Sequence, residues 1–183
     1  MAYIAANAVS FAESQSTRYK SGECWILVED ALILNGGKSS IGQTPNFSKN
    51  SAYIWGRSIN IAALQAGDVL QFSHYSWVRT TEVEFTKPDK GGSIDSKDVE
   101  VVRGEPQHSA LVVKVISAGI VKVIEQNIPA GKGWVQTVDM VLVAPPVSRE
   151  EKRDKRADGD YITVTTVTDV VKNPPKCYRP VDA

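Results

Sequence analysis

The sequence is short of the residues that most often advertise function. Its 183 residues include two cysteines, Cys24 and Cys177, and two histidines, His74 and His108. Two cysteines are too few for a disulfide framework, and the C-x-x-C and His-rich spacings of zinc sites are absent. No acidic D-x-[DN]-x-[DN]-G loop of the calcium type precedes Cys24. No cofactor and no metal is expected. The sequence leaves a Cys24–Cys177 bridge open, and such a bridge would consume both thiols. Net charge is also lacking: 21 Lys plus Arg balance 21 Asp plus Glu. Neither nucleic acid nor an anionic membrane is therefore expected as the main partner. No apolar run approaches the roughly 20 residues needed to span a bilayer. The N-terminus lacks the basic start of a secretory signal, and Asn7 and Ser10 break its apolar stretch. The expected location is the cytoplasm, or outside the cell after lysis or a dedicated secretion route.

What is present suits one domain, residues 1–183, with a core over about 19–145 and C-terminal strands and tail over 146–183. The first 17 residues are expected to be helical in part. Ser21–Gly37 carries the clearest helix signal, with Ser21 as N-cap and Gly36-Gly37 as the stop. Only Glu29 and Asp30 interrupt its apolar character, so this helix is expected to be buried centrally. Residues 38–60 read as loop with room for a short helix. Strands are predicted over Asp68–Phe72, Val78–Phe85, His108–Ser117, Ile120–Asn127, Trp134–Val143 and Tyr161–Thr168, with a short edge strand over Cys177–Val181. Lys87–Lys97 reads as an exposed loop. Ser148–Asp160, with five basic and five acidic residues, reads as a solvated loop or short exposed helix. A helix followed by antiparallel strands gives an α+β class, a buried helix packed on a twisted sheet.

Cys24 carries the chemistry in this reading. A thiol is a poor nucleophile until it becomes a thiolate, and a helix N-terminus and a nearby imidazolium both favour that form. With Ser21 as N-cap, Cys24 falls at the third helical position, among the free N–H groups of the first turn. Those groups can also hold a developing oxyanion. A lone cysteine is more often a small core residue, so Cys24 needs a partner to count. The hairpin turning at Ala118-Gly119 supplies one. An even loop pairs His108 with Pro129, Ala110 with Asn127 and Val112 with Glu125, on one face of the sheet. Asn127 is then the diagonal neighbour of His108, and Glu125 lies one step further unless a bulge brings it closer. A base histidine needs a third group to fix its ring, and either Glu125 or Asn127 can serve. His74, in an aromatic stretch, is at most a cleft-lining residue. The aromatics Trp25, Tyr53, Trp55, Trp77 and Trp134 are candidates for substrate contact, although core packing accounts for most of them.

Four segments together resemble the CHAP domain, the cysteine- and histidine-dependent amidohydrolase/peptidase family related to the NlpC-type cell-wall peptidases. They are Tyr19-Lys-Ser-Gly-Glu-Cys24-Trp, Ala66-Gly-Asp-Val-Leu-Gln-Phe72, His108-Ser-Ala-Leu-Val-Val and Val121-Lys-Val-Ile-Glu125-Gln-Asn127. The resemblance covers residues 19–127. It implies a papain-like α+β fold with a buried catalytic helix, Cys24 as nucleophile, His108 as base, Glu125 as orienter and Asn127 as a further polar member of the site. Glu23 departs from the family's Gln before the nucleophile. A carboxylate there disfavours a thiolate unless it faces solvent or a basic group, for which Arg18 or Lys20 is available. The segment from about Arg79 to Pro106 is a long insertion expected to wall the cleft.

The implied activity is cleavage of amide bonds in the peptide part of bacterial peptidoglycan. The alternatives are a cytoplasmic amidase acting on a small amide such as a glutathione-type conjugate, and an inactive binding protein of the same fold. Peptidoglycan peptide or a small amide is thus the expected partner. An immunity or inhibitor protein is not readable from the sequence.

Overall fold

The computed structural model describes residues 2–48, 50–88, 91–129 and 131–183. The chain opens with α1 (Ala5–Glu13) and α2 (Cys24–Ile33). Ten strands follow: β1 (Arg57–Ile59), β2 (Val69–Phe72), β3 (Tyr75–Thr86), β4 (Ser93–Arg103), β5 (His108–Ser117), β6 (Ile120–Gln126), β7 (Val135–Val141), β8 (Ser148–Arg156), β9 (Gly159–Lys172) and β10 (Lys176–Arg179). One 3-10 turn, Ile61–Ala63, lies between β1 and β2. The strands form two antiparallel sheets, one ordered β1-β10-β2-β5-β6-β7 and the other β4-β3-β9-β8.

This corrects the α+β, papain-like expectation. The chain is mostly β, with two short helices and two antiparallel sheets among the described residues. Strand content exceeds the expectation because three segments expected to be loop or short helix pair as strands, the first being Arg57–Ile59, which pairs with β10. Ser93–Lys97, read as part of an exposed loop, begins β4 and pairs with the end of β3. Asp89 and Lys90 of the same loop lie outside the described residues. Ser148–Arg156, read as a solvated loop or helix, is β8, exposed at every position and paired along its length with β9. Its charges hid it, since a strand exposed on both faces shows no apolar alternation to detect. They also suit its place at the rim of the sheet, where charge discourages further strand pairing. Neighbours on one face neutralise one another, as in Glu151–Arg153 and Asp154–Arg156. Cys177–Val181 was expected at an edge, whereas β10 sits between β1 and β2.

The helix that begins at Cys24 also differs from expectation. It starts at Cys24, with Glu23 rather than Ser21 as N-cap and no side-chain cap. Leu27, Val28, Ala31 and Leu32 are buried in one core with Val69, Leu111 and Ile124, but Ile33 is 45% and Leu34 61% exposed. The helix is therefore apolar on both sides but buried on one only. Its interrupting acid, Glu29, is on the buried side, where its carboxylate accepts hydrogen bonds from the Ser39 hydroxyl and from Ser40 N at 3.0 Å. The other face of the six-stranded sheet forms a second core around Leu70, Phe72, Val112, Val123 and Met140, onto which Trp77, Val101 and Val171 of the second sheet pack.

The predicted β5–β6 hairpin is present, and its register carries the most information. At the turn Ser117 pairs with Ile120, as expected. Irregularities between Val112 and Lys114 and between Val115 and Ser117 each add one residue to β5, so that further on Leu111 pairs with Ile124. Such bulges leave the extra residue unpaired and advance the register by one. Continued to the start of β5, the pairing sets Ala110, rather than Val112, opposite Glu125. No helix among the described residues is long and apolar enough to cross a membrane.

Candidate active site

His108 is the first residue of β5, and strand alternation places it on the same face as Ala110 and Val112. Glu125 shares that face through Val123. The two bulges bring Glu125 to the position diagonal to His108, and His108 Nε2 lies 2.8 Å from Glu125 Oε2. Both side chains are buried, Glu125 completely. An imidazole has two ring nitrogens, so Nδ1 is left for a second partner. Cys24, at the first position of α2, lines the same cleft as His108 and acts on the charge of its ring. The helix start and the end of the sheet thus meet at Cys24, His108 and Glu125.

The sequence analysis missed the next member. Arg103, the last residue of β4, donates from Nε to Glu125 at 2.9 and 3.0 Å and from Nη2 at 2.7 Å. Gln136, directly across from Glu125 on β7, donates to Oε1 at 2.9 Å. Arg103 comes from the second sheet and Glu125 from the first, so this buried ion pair also joins the two sheets. The only signal in the sequence was an arginine ending an apolar pair, Val101-Val102-Arg103, before Gly104.

Charge follows geometry. Burial alone would lower the His108 pKa, but the hydrogen bonds and charges of Cys24 and Glu125 outweigh it and raise the ring to about 9. Burial would raise Glu125, but its bonds to His108 and Arg103 hold it down at about 2. The pair is therefore imidazolium and carboxylate at neutral pH.

Asn127 stands differently from the other predicted residues. It lines the cleft with a φ of 71°, its Oδ1 accepts from Gly131 N at 2.9 Å, and its Nδ2 approaches Glu23 Oε2 at 3.5 Å. The His108 ring is bonded to Glu125 instead. Gln126, buried on the opposite face, does more positioning than Asn127. Its Nε2 donates to Glu23 O at 2.5 Å and its Oε1 accepts from Tyr19 N at 3.2 Å, tying β6 to the backbone just before Cys24. Arg18 reaches the Ser21 carbonyl and Lys20 pairs with Asp30 at 2.5 Å, so neither neutralises Glu23, whose side chain is exposed.

These residues open into a cleft of about 800 Å³. One wall is aromatic: Trp25, Phe47 and Tyr53 have ring centroids 5.4 to 6.2 Å apart. Burial, with the nearby Cys24 and Glu23 charges, pushes the Tyr53 hydroxyl up to about 12. The opposite wall is the end of β4 and the following loop, from Glu100 to Gln107, so the predicted insertion does border the cleft. Trp55 is fully buried and donates to Gln71 Oε1. Trp77 donates to Asp169, and His74 and Trp134 are exposed away from the cleft lining.

Neither a family model, nor a curated protein, nor a solved structure matches the chain. No group of His, Cys, Asp and Glu among the described residues could hold a metal ion.

Both cysteines are free. Cys177 is buried in β10, its Sγ sits 3.6 Å from Pro175 O, and burial pushes its pKa up to about 12. A brief treatment of the native protein with iodoacetamide at pH 7 should therefore modify one thiol per chain. Peptide mapping should place that label on Cys24, and Cys177 should become reactive only after unfolding. Comparable labelling of both in the native state would contradict the burial of Cys177.

Proposed function

We propose that the protein is a cysteine amidase or endopeptidase that cleaves amide bonds in the peptide part of bacterial peptidoglycan. The observation that carries the chemistry is the chain from Cys24 at the start of α2 through His108 to Glu125. The choice of peptidoglycan rests on the resemblance of four segments to the CHAP family, which shares that order of residues.

In the proposed reaction the Cys24 thiolate attacks the amide carbonyl carbon. The oxyanion lies against N–H groups of the first turn of α2, which have no partner within the helix. The imidazolium of His108 gives its proton to the departing amine, the C–N bond breaks, and a thioester remains on Cys24. Water then attacks the thioester. His108 takes a proton from it, the C–S bond breaks, and the acid product leaves as the thiolate–imidazolium pair re-forms. Glu125 holds the ring and stabilises its charged form throughout, while Arg103 and Gln136 hold Glu125.

Purified protein incubated with peptidoglycan sacculi should release new amino groups without new reducing ends, and Cys24→Ala should release none. Absence of amine release from sacculi of several stem-peptide types, with Cys24 reactive, would move the assignment to the small-amide alternative. An unreactive Cys24 would leave a binding protein.

A further inference from the structure

Along the end of β4, Glu100, Val101, Val102, Arg103 and Gly104 line the cleft consecutively. Alternation in a strand sends successive side chains to opposite faces, so an unbroken run of lining residues means that the cleft meets the strand edge-on. β4 is the outermost strand of its sheet, with β3 on one side and no strand on the other among the described residues. Alternate N–H and C=O groups of an outermost strand point away from its neighbour and can pair; of those at the cleft, the Val102 carbonyl also accepts from Arg103 Nη1 at 2.8 Å. The opposite rim of this sheet, β8, carries a charge at every position after Ser148, whereas β4 at the cleft presents Val101 and Val102.

We propose that the substrate binds as an extended peptide that adds a strand to the free edge of β4, which carries its scissile amide to Cys24. This inference rests on the catalytic reading of Cys24 and His108 and specifies the form of substrate that the site takes. Main-chain pairing of this kind supplies affinity through the backbone and leaves selection to alternate side chains. The charges bordering the cleft suit a basic peptide. Glu23, Glu100 and Glu105 are exposed, while the basic lining groups among the described residues, Arg103 and His108, are both bonded to Glu125.

The test uses the full chain and a double-headed epoxysuccinyl probe carrying Lys-Ala-Lys on each carboxyl, so that both sides of the reacting centre are sampled. Each amide is N-methylated in turn, and the labelling rate of Cys24 is measured beside that of iodoacetamide. Strand pairing predicts a period of two on one arm. Methylation at alternate amides should slow labelling about five- to tenfold, roughly the effect of one lost hydrogen bond, while the intervening amides should have little effect. Hydrogen exchange of the amides of residues 99–103 should slow in the probe adduct and not in the iodoacetamide adduct. Uniform effects along both arms, or unchanged exchange in β4, would overturn the strand-addition proposal. If iodoacetamide labelling is itself indifferent to His108→Ala, the catalytic reading has failed, a separate result.

Discussion

His108→Ala is expected to reduce amide cleavage roughly 10²–10⁴-fold, the range a positioned acid–base group contributes. The loss should fall mainly on kcat, because the ring acts on the reacting atoms and makes up little of the cleft wall. The same substitution should slow iodoacetamide alkylation of Cys24 at neutral pH, since the thiol loses a neighbouring cationic ring. The pH profile provides a second check. The ring is held as imidazolium up to about pH 9 by Cys24 and Glu125. Acylation needs its proton, so kcat in the parent should decline as pH rises through about 9 rather than near the ordinary histidine value of about 6.5. A variant that retains both cleavage and fast alkylation would exclude His108 from the chemistry.

Glu125→Ala is expected to be the most destabilising single change at the site. It leaves the Arg103 guanidinium, 9% exposed, without its carboxylate, and it removes the partner of His108 and Gln136. Breaking one side of a buried ion pair costs about 3–5 kcal/mol, and chemical denaturation would read it directly. Arg103→Met combined with Glu125→Leu should recover much of that loss, because no buried charge is then stranded. It should not recover activity, because His108 still lacks its orienter. The pH dependence separates the two titrating groups. The His108 pKa is raised, so its contribution to stability is fully present below about 6.5 and is lost as pH rises through about 9. The Glu125 pKa is lowered, so its contribution is present above about 4.5 and is lost as pH falls toward about 2. Parent and Glu125→Gln should therefore differ most between these limits, and the difference should narrow without vanishing as pH rises through about 9, because Arg103 still lacks its carboxylate in the variant. A constant difference through pH 10 would contradict the raised histidine.

The residues that touch one another in the site were legible because each belongs to a strong local signal. Cys24 precedes an apolar helical run, His108 opens a β-branched strand, and Glu125 ends another. Their order and shared face followed from strand alternation. Arg103 was not legible because its partner lies on another sheet, and a lone arginine beside two valines carries no local sign of that pairing. The same limit explains the missed strands. β8 and the start of β4 are exposed on both faces, so tertiary pairing rather than hydrophobic pattern fixes them. The helix was over-read for the opposite reason: Ile33 and Leu34 are apolar yet exposed, and composition alone predicts burial for them.

The two irregularities in β5 impose a rule of parity on this strand. A single irregularity would have set Leu111 opposite Glu125 and put His108 and that carboxylate on opposite faces of the sheet. Two restore the facing and shift the pairing by one full repeat, the distance between a remote carboxylate and a touching one. The rule concerns the count of irregularities and not chain length: deleting Val113 or Ile116, the unpaired residues, would regularise the strand and keep every other pairing. For this sequence, an even number of irregularities along β5 is what keeps His108 and Glu125 on one face.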